Sequence, residues 1–221
     1  MRLALFDLDN TLLPLDSDAE WGRFLVRERL VDPDGFTRRN EEFLQQYRNG
    51  TLDIQAYLEF QLAPLASRPP AELDAMHRRF MQSVIEPALL EPAFALVARH
   101  RDAGDLCAVV TATNEFVTGP IVRALGIEHL VATTIEYVDG RFTGRARGIP
   151  AYREGKIVRT GQWLAGLGLD WTGFADSFFY SDSHNDLPLM SKVSRPVATN
   201  PDQILERHAL EHGWPVIRLF E

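Results

Sequence analysis

Two carboxylates that follow an apolar run near the start of the chain are the first residues that could do chemistry. The run covers residues 3–6, Asp7 and Asp9 follow it, and Thr11 comes two residues later. Such a run predicts a buried strand, and open α/β sheets bind ligands beyond the carboxyl ends of their strands. Asp7 and Asp9 could therefore converge on one cation and one substrate atom. A strand end followed by an acidic turn has the same sequence pattern, so this pair alone does not establish a functional site.

A second acidic cluster, at residues 181–186, follows another apolar run at residues 178–180. Asp182 and Asp186 could complete an all-oxygen ligand set around a hard divalent ion together with the first pair of acids. The alternative is a solvated loop in which Asp182 or Ser183 caps the next helix. The presence of two strand-end clusters in one chain favours a shared metal site.

Two further positions could bind phosphate. Thr111 and Ala112 end the apolar run at residues 106–110 and precede a predicted helix at residues 116–125, and a helix N-terminus attracts phosphate. An ordinary helix cap has the same pattern. Lys156 could supply a point charge against phosphate or a nucleophilic carboxylate, although most lysines are simply solvated.

The composition agrees with a compact protein. With 221 residues, of which 45% are hydrophobic, the chain can bury a full core. A net charge of -8 without a basic stripe argues against nucleic acid as a partner. No apolar run approaches the length of a membrane span and no signal-peptide pattern is visible, so we expect a cytoplasmic protein with no membrane insertion. We expect it to be a monomer or a homodimer.

The four segments, taken in this order, resemble the haloacid dehalogenase (HAD) superfamily of phosphohydrolases that use an aspartate nucleophile. Asp7, Asp9 and Thr11 match its first motif, Asp-x-Asp-x-Thr, and Thr111 matches the hydroxyl of the second. Lys156 matches the third motif, and Asp182 and Asp186 match the acidic fourth motif. The branch related to phosphoserine phosphatase usually has Gly-Asp-Gly-x-Asn-Asp there, whereas this chain has Ser-Asp-Ser-His-Asn-Asp at residues 181–186.

The resemblance implies an α/β fold with a Rossmann-like, doubly wound parallel sheet and a helical cap inserted after the first strand. Residues 15–85 fit the cap, because helical spacing replaces strand patterns there, and residues 1–14 and 86–221 fit the catalytic core. Within the core, residues 135–144 predict a hairpin with its turn at Asp139 and Gly140. A further helix is predicted around residues 158–167.

The resemblance also implies a mechanism. Asp7 would attack phosphorus and form an aspartyl-phosphate, while Asp9 would protonate the leaving oxygen and later deprotonate the attacking water. The expected cofactor is Mg²⁺, bound by Asp7, the backbone carbonyl of Asp9, and Asp182. Asp186 would order a metal-bound water without binding the ion directly.

Other residues are expected to bind the substrate, a small phosphorylated metabolite. Thr111, Lys156 and the N–H of Ala112 would hold the phosphoryl oxygens. Asn185 resembles the amide with which the family contacts its substrate.

Substrate identity depends on the start of the cap. Asp16 lies at the offset where phosphoserine phosphatases keep the acid that recognises an ammonium group, and a carboxylate at Asp16 or Asp18 favours an ester with a positive amine. The motifs also resemble a proteobacterial subgroup to which histidinol-phosphate hydrolysis, a step of amino-acid biosynthesis, has been ascribed. Histidinol phosphate is therefore the expected substrate, and phosphoserine or another small phosphomonoester is the alternative. The carboxylate of phosphoserine would require a cap arginine, for which the candidates are Arg23, Arg27, Arg38, Arg39 and Arg48.

Three other classes are less consistent with the chain. A receiver-type signalling domain would be shorter and would lack an insert after its first strand. A haloalkanoic-acid dehalogenase would not need Asp9, because halide leaves without a proton. A degenerate binding module would be expected to lose a catalytic residue, and none is missing.

Overall fold

The computed structural model describes residues 1–220, and a six-stranded parallel sheet forms its centre. In chain order the strands are β1 Leu3–Phe6, β2 Leu106–Asn114, β3 His129–Thr133, β4 Ile135–Val138, β5 Arg141–Ala146, β6 Ser177–Ser181, β7 Arg195–Thr199 and β8 Val216–Ile217. The large sheet has the order β3-β2-β1-β6-β7-β8, and every pairing in it is parallel. The predicted α/β fold class is confirmed.

Strand β1 lies at the middle of this sheet, and all four of its residues are fully buried. Leu3 and Leu5 pack into the apolar core on one face of the sheet, and Ala4 and Phe6 pack into the core on the other. This alternation follows from the two-residue period of a strand. A continuous apolar run is therefore required at β1, since helices cover both faces of the sheet.

Nine α-helices surround the sheet within the described residues. They are α1 Ser17–Arg27, α2 Pro33–Arg48, α3 Ile54–Ala66, α4 Pro70–Phe80, α5 Glu91–Asp102, α6 Glu115–Ala124, α7 Glu154–Gly166, α8 Leu187–Met190 and α9 Gln203–Glu211. Helices α1 to α4 follow β1 and precede β2, which confirms the helical insertion after the first strand. The exact boundaries of that insertion at residues 15 and 85 stay a prediction.

Aspartates begin three of the inserted helices. Asp16, Asp32 and Asp53 occupy the N-cap positions of α1, α2 and α3, and each side chain accepts a hydrogen bond from a backbone N–H in the first turn. Such caps satisfy donors that the helix itself leaves unpaired. The cap at Asp16 also fixes this carboxylate close to the end of β1.

The predicted hairpin is confirmed as β4 and β5. Its turn places Asp139 at φ 48° and Gly140 at φ 77°, the left-handed conformation of a tight primed turn. The hairpin packs on α3, where a Cβ added to Gly144 would lie 3.1 Å from Ala66 Cβ. The hairpin thus joins the inserted helices to the sheet.

Among residues 1–220, no single helix is long and apolar enough to cross a membrane. One pair, Pro70–Ala88 and Glu91–Asp102, meets the criterion of length and composition together, with a bend of 89° at the break.

Candidate active site

The candidate site forms where β1, β2 and β6 end side by side. Phe6, the last residue of β1, is in register with Val109 of β2 and Tyr180 of β6. The residues that follow these positions therefore meet at one edge of the sheet. Asp7, Thr111 and Asp182 all line one cavity there.

Lys156 lies at the centre of the acidic group. Its Nζ donates hydrogen bonds to Asp7 Oδ1 and Asp186 Oδ2, both at 2.7 Å, and its side chain is 1% exposed. Ser181 Oγ also donates to Asp186 Oδ2 at 2.7 Å. Burial works to lower the pKa of Lys156, but the carboxylates of Asp186 and Asp7 outweigh it and raise that pKa. The ammonium therefore stays charged.

Thr11 joins the two acidic segments. Its Oγ1 lies 3.3 Å from both Asp7 Oδ2 and Asp182 Oδ1, and it accepts a hydrogen bond from the Asp182 backbone N–H at 3.0 Å. Asp7 and Asp182 are 175 positions apart in the chain, but the register of β1 with β6 brings them together. Both carboxylates therefore lie within reach of one hydroxyl.

Asp9 is held by two donors. Its Oδ1 accepts from the Ser17 N–H at 2.7 Å and its Oδ2 accepts from Thr113 Oγ1 at 2.8 Å. Burial and the nearby carboxylates of Asp16 and Asp7 raise the pKa of Asp9 well above its ordinary value. A carboxyl group in this environment retains a proton closer to neutral pH.

The site carries more negative than positive charge. Lys156 pairs with Asp7 and Asp186, whereas among the described residues Asp9 and Asp182 accept hydrogen bonds only from neutral groups such as Thr113 and Thr11. Burial raises the pKa of Asp7 to about 6 even though Lys156 opposes the shift. Burial and the charges of Asp7 and Asp186 raise the pKa of Asp182 well above its ordinary value. A divalent cation between Asp7 and Asp182 would relieve this repulsion, so the donor set fits Mg²⁺.

The carboxylates do not form a closed ligand cage by themselves. Within residues 1–220, no three acidic, histidine or cysteine side chains have the spacing of a complete metal site. Mg²⁺ usually keeps several waters and binds through one or two carboxylates with substrate phosphate. The incomplete set of protein ligands is consistent with this mode of Mg²⁺ binding.

The end of β2 leads directly into α6. Thr111 is buried and its Oγ1 accepts from the Thr113 N–H at 3.2 Å. Asn114 caps α6, its side chain accepting from the Val117 N–H at 3.1 Å. Thr111 and Ala112 both line the cavity beside this helix N-terminus. The structure thus brings the predicted phosphate-binding residues to the acidic group.

The two acids predicted to recognise an amine lie in different places. Asp16 lines the cavity, while its Oδ1 accepts from the Ala19 N–H at 2.9 Å. Asp18 is buried outside the cavity lining, where it accepts from the Tyr57 hydroxyl and from Asn114 Nδ2 at 3.5 Å. Burial raises the pKa of Asp18 to about 7. Asp18 therefore joins α1 to α3 and α6.

Asn185 lies between the sheet and the inserted helices. Its Nδ2 donates to the backbone carbonyl of Tyr47 at 2.9 Å, and its Oδ1 accepts from the Tyr152 hydroxyl and Arg153 Nε, each at 3.2 Å. Its amide is not among the groups that line the cavity. In this structure Asn185 joins α2 to the segment that leads into α7.

The inserted helices form the opposite wall of the cavity, which has a volume of about 50 Å³. That wall is made of Asn40, Phe43, Leu44, Tyr47, Leu52, Ile54 and Tyr57. No lysine or arginine is among the described residues that line the cavity.

Sequence reasoning missed Asn40 and Thr113 as site residues, although Thr113 could have been found because it lies two residues after Thr111 on the same strand.

Known proteins are similar to this chain along its whole length. The sequence profile of the haloacid dehalogenase-like hydrolases matches residues 4–191. A histidinol-phosphatase from Neisseria meningitidis is 47% identical over 217 residues, which is 98% of each chain. A protein of unknown function from Bordetella pertussis has 55% identity and a TM-score of 0.94, with 99% of each chain covered.

A substrate-bound phosphoserine phosphatase structure supports the fold. It matches with a TM-score of 0.69 at 18% identity, covering 99% of this chain and 92% of the other. At this identity the likeness concerns the fold alone.

Proposed function

The chain belongs to the haloacid dehalogenase-like hydrolase family, and on that basis we propose that this phosphatase hydrolyses histidinol phosphate through an aspartyl-phosphate on Asp7. The observation that carries the substrate assignment is the composition of the cavity wall. Carboxylates, neutral polar side chains and aromatic or apolar side chains line it, and no cationic side chain does so among the described residues. This lining suits an ester with an amine and a ring but no carboxylate.

Asp7 is the proposed nucleophile. One of its oxygens accepts a hydrogen bond from Lys156 and the other accepts one from Thr11, so the carboxylate has a fixed orientation. Its pKa of about 6 leaves it ionised at neutral pH. In the first step an Asp7 oxygen forms a bond to phosphorus while the bond from phosphorus to the substrate oxygen breaks.

Asp9 is the proposed proton carrier. Its raised pKa allows it to hold the proton that the departing alkoxide takes up in the first step. In the second step Asp9 removes a proton from water as that water attacks phosphorus, and the bond to Asp7 breaks to release inorganic phosphate. Ser17 and Thr113 hold the carboxylate in position for both steps.

Thr111, the N–H of Ala112 and Lys156 are the proposed phosphate-binding groups. Thr111 and Ala112 line the cavity at the end of β2, and Lys156 lies behind the nucleophile. Donors aimed at developing negative charge are worth a few kcal/mol each, about 3 kcal/mol in well-studied cases.

Asp7, the backbone carbonyl of Asp9, and Asp182 are the proposed ligands of Mg²⁺, with Asp186 held back by Lys156 and Ser181. When bound, the cation offsets the repulsion between an anionic nucleophile and an anionic phosphate. The crowding of carboxylates in this pocket supports the assignment.

Asp16 is the proposed partner of the substrate amine, because it lines the same cavity as Asp7 and Asp9. Burial raises the pKa of Asp16, and an ammonium group beside it would favour its ionised form. Asp18 would then act indirectly, through Tyr57.

Phosphoserine is the alternative substrate, and the surroundings of the cap arginines argue against it. Arg23 pairs with Glu20, Arg39 pairs with Glu42 at 2.9 Å, and none of the five candidate arginines lines the cavity of Asp7 and Asp9. Arg23 and Arg48 line the adjoining cavity, which shares Asp16 with it. A substrate carboxylate inside the cavity of Asp7 and Asp9 would have no guanidinium group among the described lining residues, which disfavours its binding there.

A panel of phosphomonoesters tests the substrate assignment. We expect kcat/KM for histidinol phosphate to exceed that for phosphoserine by about a hundredfold or more. Equal values for histidinol phosphate, phosphoserine and simple sugar phosphates would contradict the proposal.

A further inference from the structure

A chain of buried polar side chains lies behind the cavity wall that faces Asp7. Gln61 Nε2 donates to Asn40 Oδ1 at 3.0 Å and to the Tyr57 hydroxyl at 3.3 Å. The Tyr57 hydroxyl in turn donates to Asp18. Asn40 and Tyr57 line the cavity, whereas Gln61 and Asp18 lie behind them. The orientation of the two lining residues is therefore set from behind.

Asn40 has unused hydrogen-bonding capacity. Its side-chain amide has two N–H donors and an oxygen with two lone pairs. One N–H reaches the Ala19 carbonyl at 3.4 Å, and the oxygen accepts from Gln61. One donor and one lone pair remain on a residue that is only 7% exposed. A buried polar group of this kind is costly unless it finds a partner.

Gln61 reinforces this picture. Its side chain is 2% exposed, and its Oε1 is buried without a hydrogen-bond partner among the described residues. An apolar helix interior does not require a glutamine. The hydrogen bonds of the Gln61 side chain go to Asn40 and Tyr57.

The neighbouring helix leaves room for the Asn40 amide. A Cβ added to Gly22 of α1 would lie 3.1 Å from Asn40 Nδ2 and 3.0 Å from Phe36 Cε1. Such contacts are tighter than normal packing, so a side chain at this position would press on the amide. Glycine at position 22 therefore leaves the space that the Asn40 amide occupies.

We propose that Asn40 is a specificity-determining residue whose amide hydrogen-bonds a ring nitrogen of the substrate, with Gln61 as its positioning residue. This inference rests on the proposed function, since histidinol phosphate supplies the imidazole ring. Phe43 and Tyr57, whose ring centroids lie 5.4 Å apart in an edge-to-face arrangement, form the apolar surface for that ring.

A neutral amide suits this task better than a carboxylate. An imidazole with an ordinary pKa of about 6.5 is mostly neutral in the cytoplasmic pH range, with one nitrogen that donates and one that accepts. An amide can pair with either nitrogen. A carboxylate would favour the protonated ring and would make binding depend on pH.

The test compares two substrates that share an amine but differ in the ring: histidinol phosphate and phosphoethanolamine. The readout is the ratio of their kcat/KM values in wild type and in Asn40→Leu, which keeps the volume and removes the hydrogen bonds. We expect this ratio to fall about tenfold in the variant. Glu59→Gln, an exposed change on α3, is the matched control, and it should keep the wild-type ratio.

Gln61→Met tests the positioning role. We expect KM for histidinol phosphate to rise about fivefold while kcat changes less than about twofold, a split that a general loss of stability would not produce. If Asn40→Leu fails to fold, Asn40→Ser, which keeps a polar group but shortens its reach, serves in the same comparison.

The outcomes separate the two proposals. A wild-type enzyme that does not hydrolyse histidinol phosphate would overturn the proposed function and this inference with it. A wild-type enzyme that prefers histidinol phosphate, combined with an unchanged ratio in the folded Asn40 variant, would overturn the role of Asn40 alone.

Discussion

Lys156 Nζ lies 2.7 Å from Asp7 Oδ1, although 149 positions separate the two residues in the chain. The same nitrogen lies 2.7 Å from Asp186 Oδ2. One ammonium therefore balances two buried carboxylates that come from opposite ends of the sequence. It also orients the oxygen atoms of the proposed nucleophile.

Replacement of Lys156 should destabilise the fold and impair catalysis. Lys156→Met leaves Asp7 and Asp186 buried without their cation, and loss of one partner from a buried ion pair costs about 3–5 kcal/mol. The free energy of unfolding in urea and kcat should both fall.

Lys192→Met is the control, because Lys192 is the only other lysine in the chain and is exposed. Its free energy of unfolding should change by less than about 0.5 kcal/mol. A Lys156→Met protein as stable as this control would contradict the buried ion cluster.

Asp9 should control the alkaline side of the pH profile. Its raised pKa keeps the leaving-group proton available near neutrality, and activity should decline as pH rises through that pKa. Asp9→Asn should lower kcat by about 10²- to 10⁴-fold and slow both half-reactions.

Thr113→Val gives a graded comparison. It removes a hydrogen bond that favours the ionised form of Asp9, so the alkaline limb of kcat/KM should move to higher pH. Wild-type rates in Asp9→Asn, or a limb that moves to lower pH in Thr113→Val, would refute this role.

Asp18 should make the protein less stable as pH rises. Its pKa is about 7 when folded against an ordinary value of 3.8, so the folded state binds the proton more tightly. The stabilisation is complete below about pH 4 and is lost as pH rises towards 7, up to about 4 kcal/mol in all.

Asp18→Asn lacks this titration, so its stability relative to wild type should increase between pH 4 and 7 and then level off. Thermal unfolding at several pH values measures the difference, with Glu59→Gln as an exposed control. A difference between Asp18→Asn and wild type that does not change with pH would show that Asp18 does not titrate in this way.

Much of the site's framework was predictable because it depends on local patterns. The apolar runs that became β1, β2 and β6 each end in polar residues, and parallel strands end at a common edge. That rule was enough to predict that Asp7, Thr111 and Asp182 meet.

Other elements gave weaker local signals. Strands β3, β7 and β8 were not predicted, and Pro196 inside β7 is a residue that strands rarely contain. Helix α7 begins at Glu154, earlier than the predicted start near residue 158. Arg153, which precedes it, has φ 50° and provides no side-chain cap, so the usual start signal is missing.

The cavity wall that the inserted helices form depends on tertiary packing. Asn40 comes from α2 and Gln61 from α3, and only the packing of those helices makes their hydrogen bond. From sequence, a polar residue in a helix usually indicates a solvated face. The role of this pair therefore could not be read from spacing.

Removal of divalent cations should abolish activity. Chelation with EDTA should stop phosphate release, and Mg²⁺ should restore it, since the one ammonium of the site pairs with Asp7 and Asp186 and leaves the carboxylate of Asp182 without a cation among the described residues. Asp182→Asn should raise the Mg²⁺ concentration needed for half-maximal rate by about tenfold or more. Full activity in EDTA, or an unchanged Mg²⁺ requirement in Asp182→Asn, would argue against the proposed metal site.

The nucleophilic role of Asp7 is tested most directly by trapping the covalent intermediate. Acid quenching during turnover of histidinol phosphate, followed by peptide mass mapping, should find one phosphoryl group on Asp7 in wild type. Asp7→Asn should show neither the label nor turnover. A phosphoryl group on a different residue, or turnover that persists in Asp7→Asn, would contradict the account.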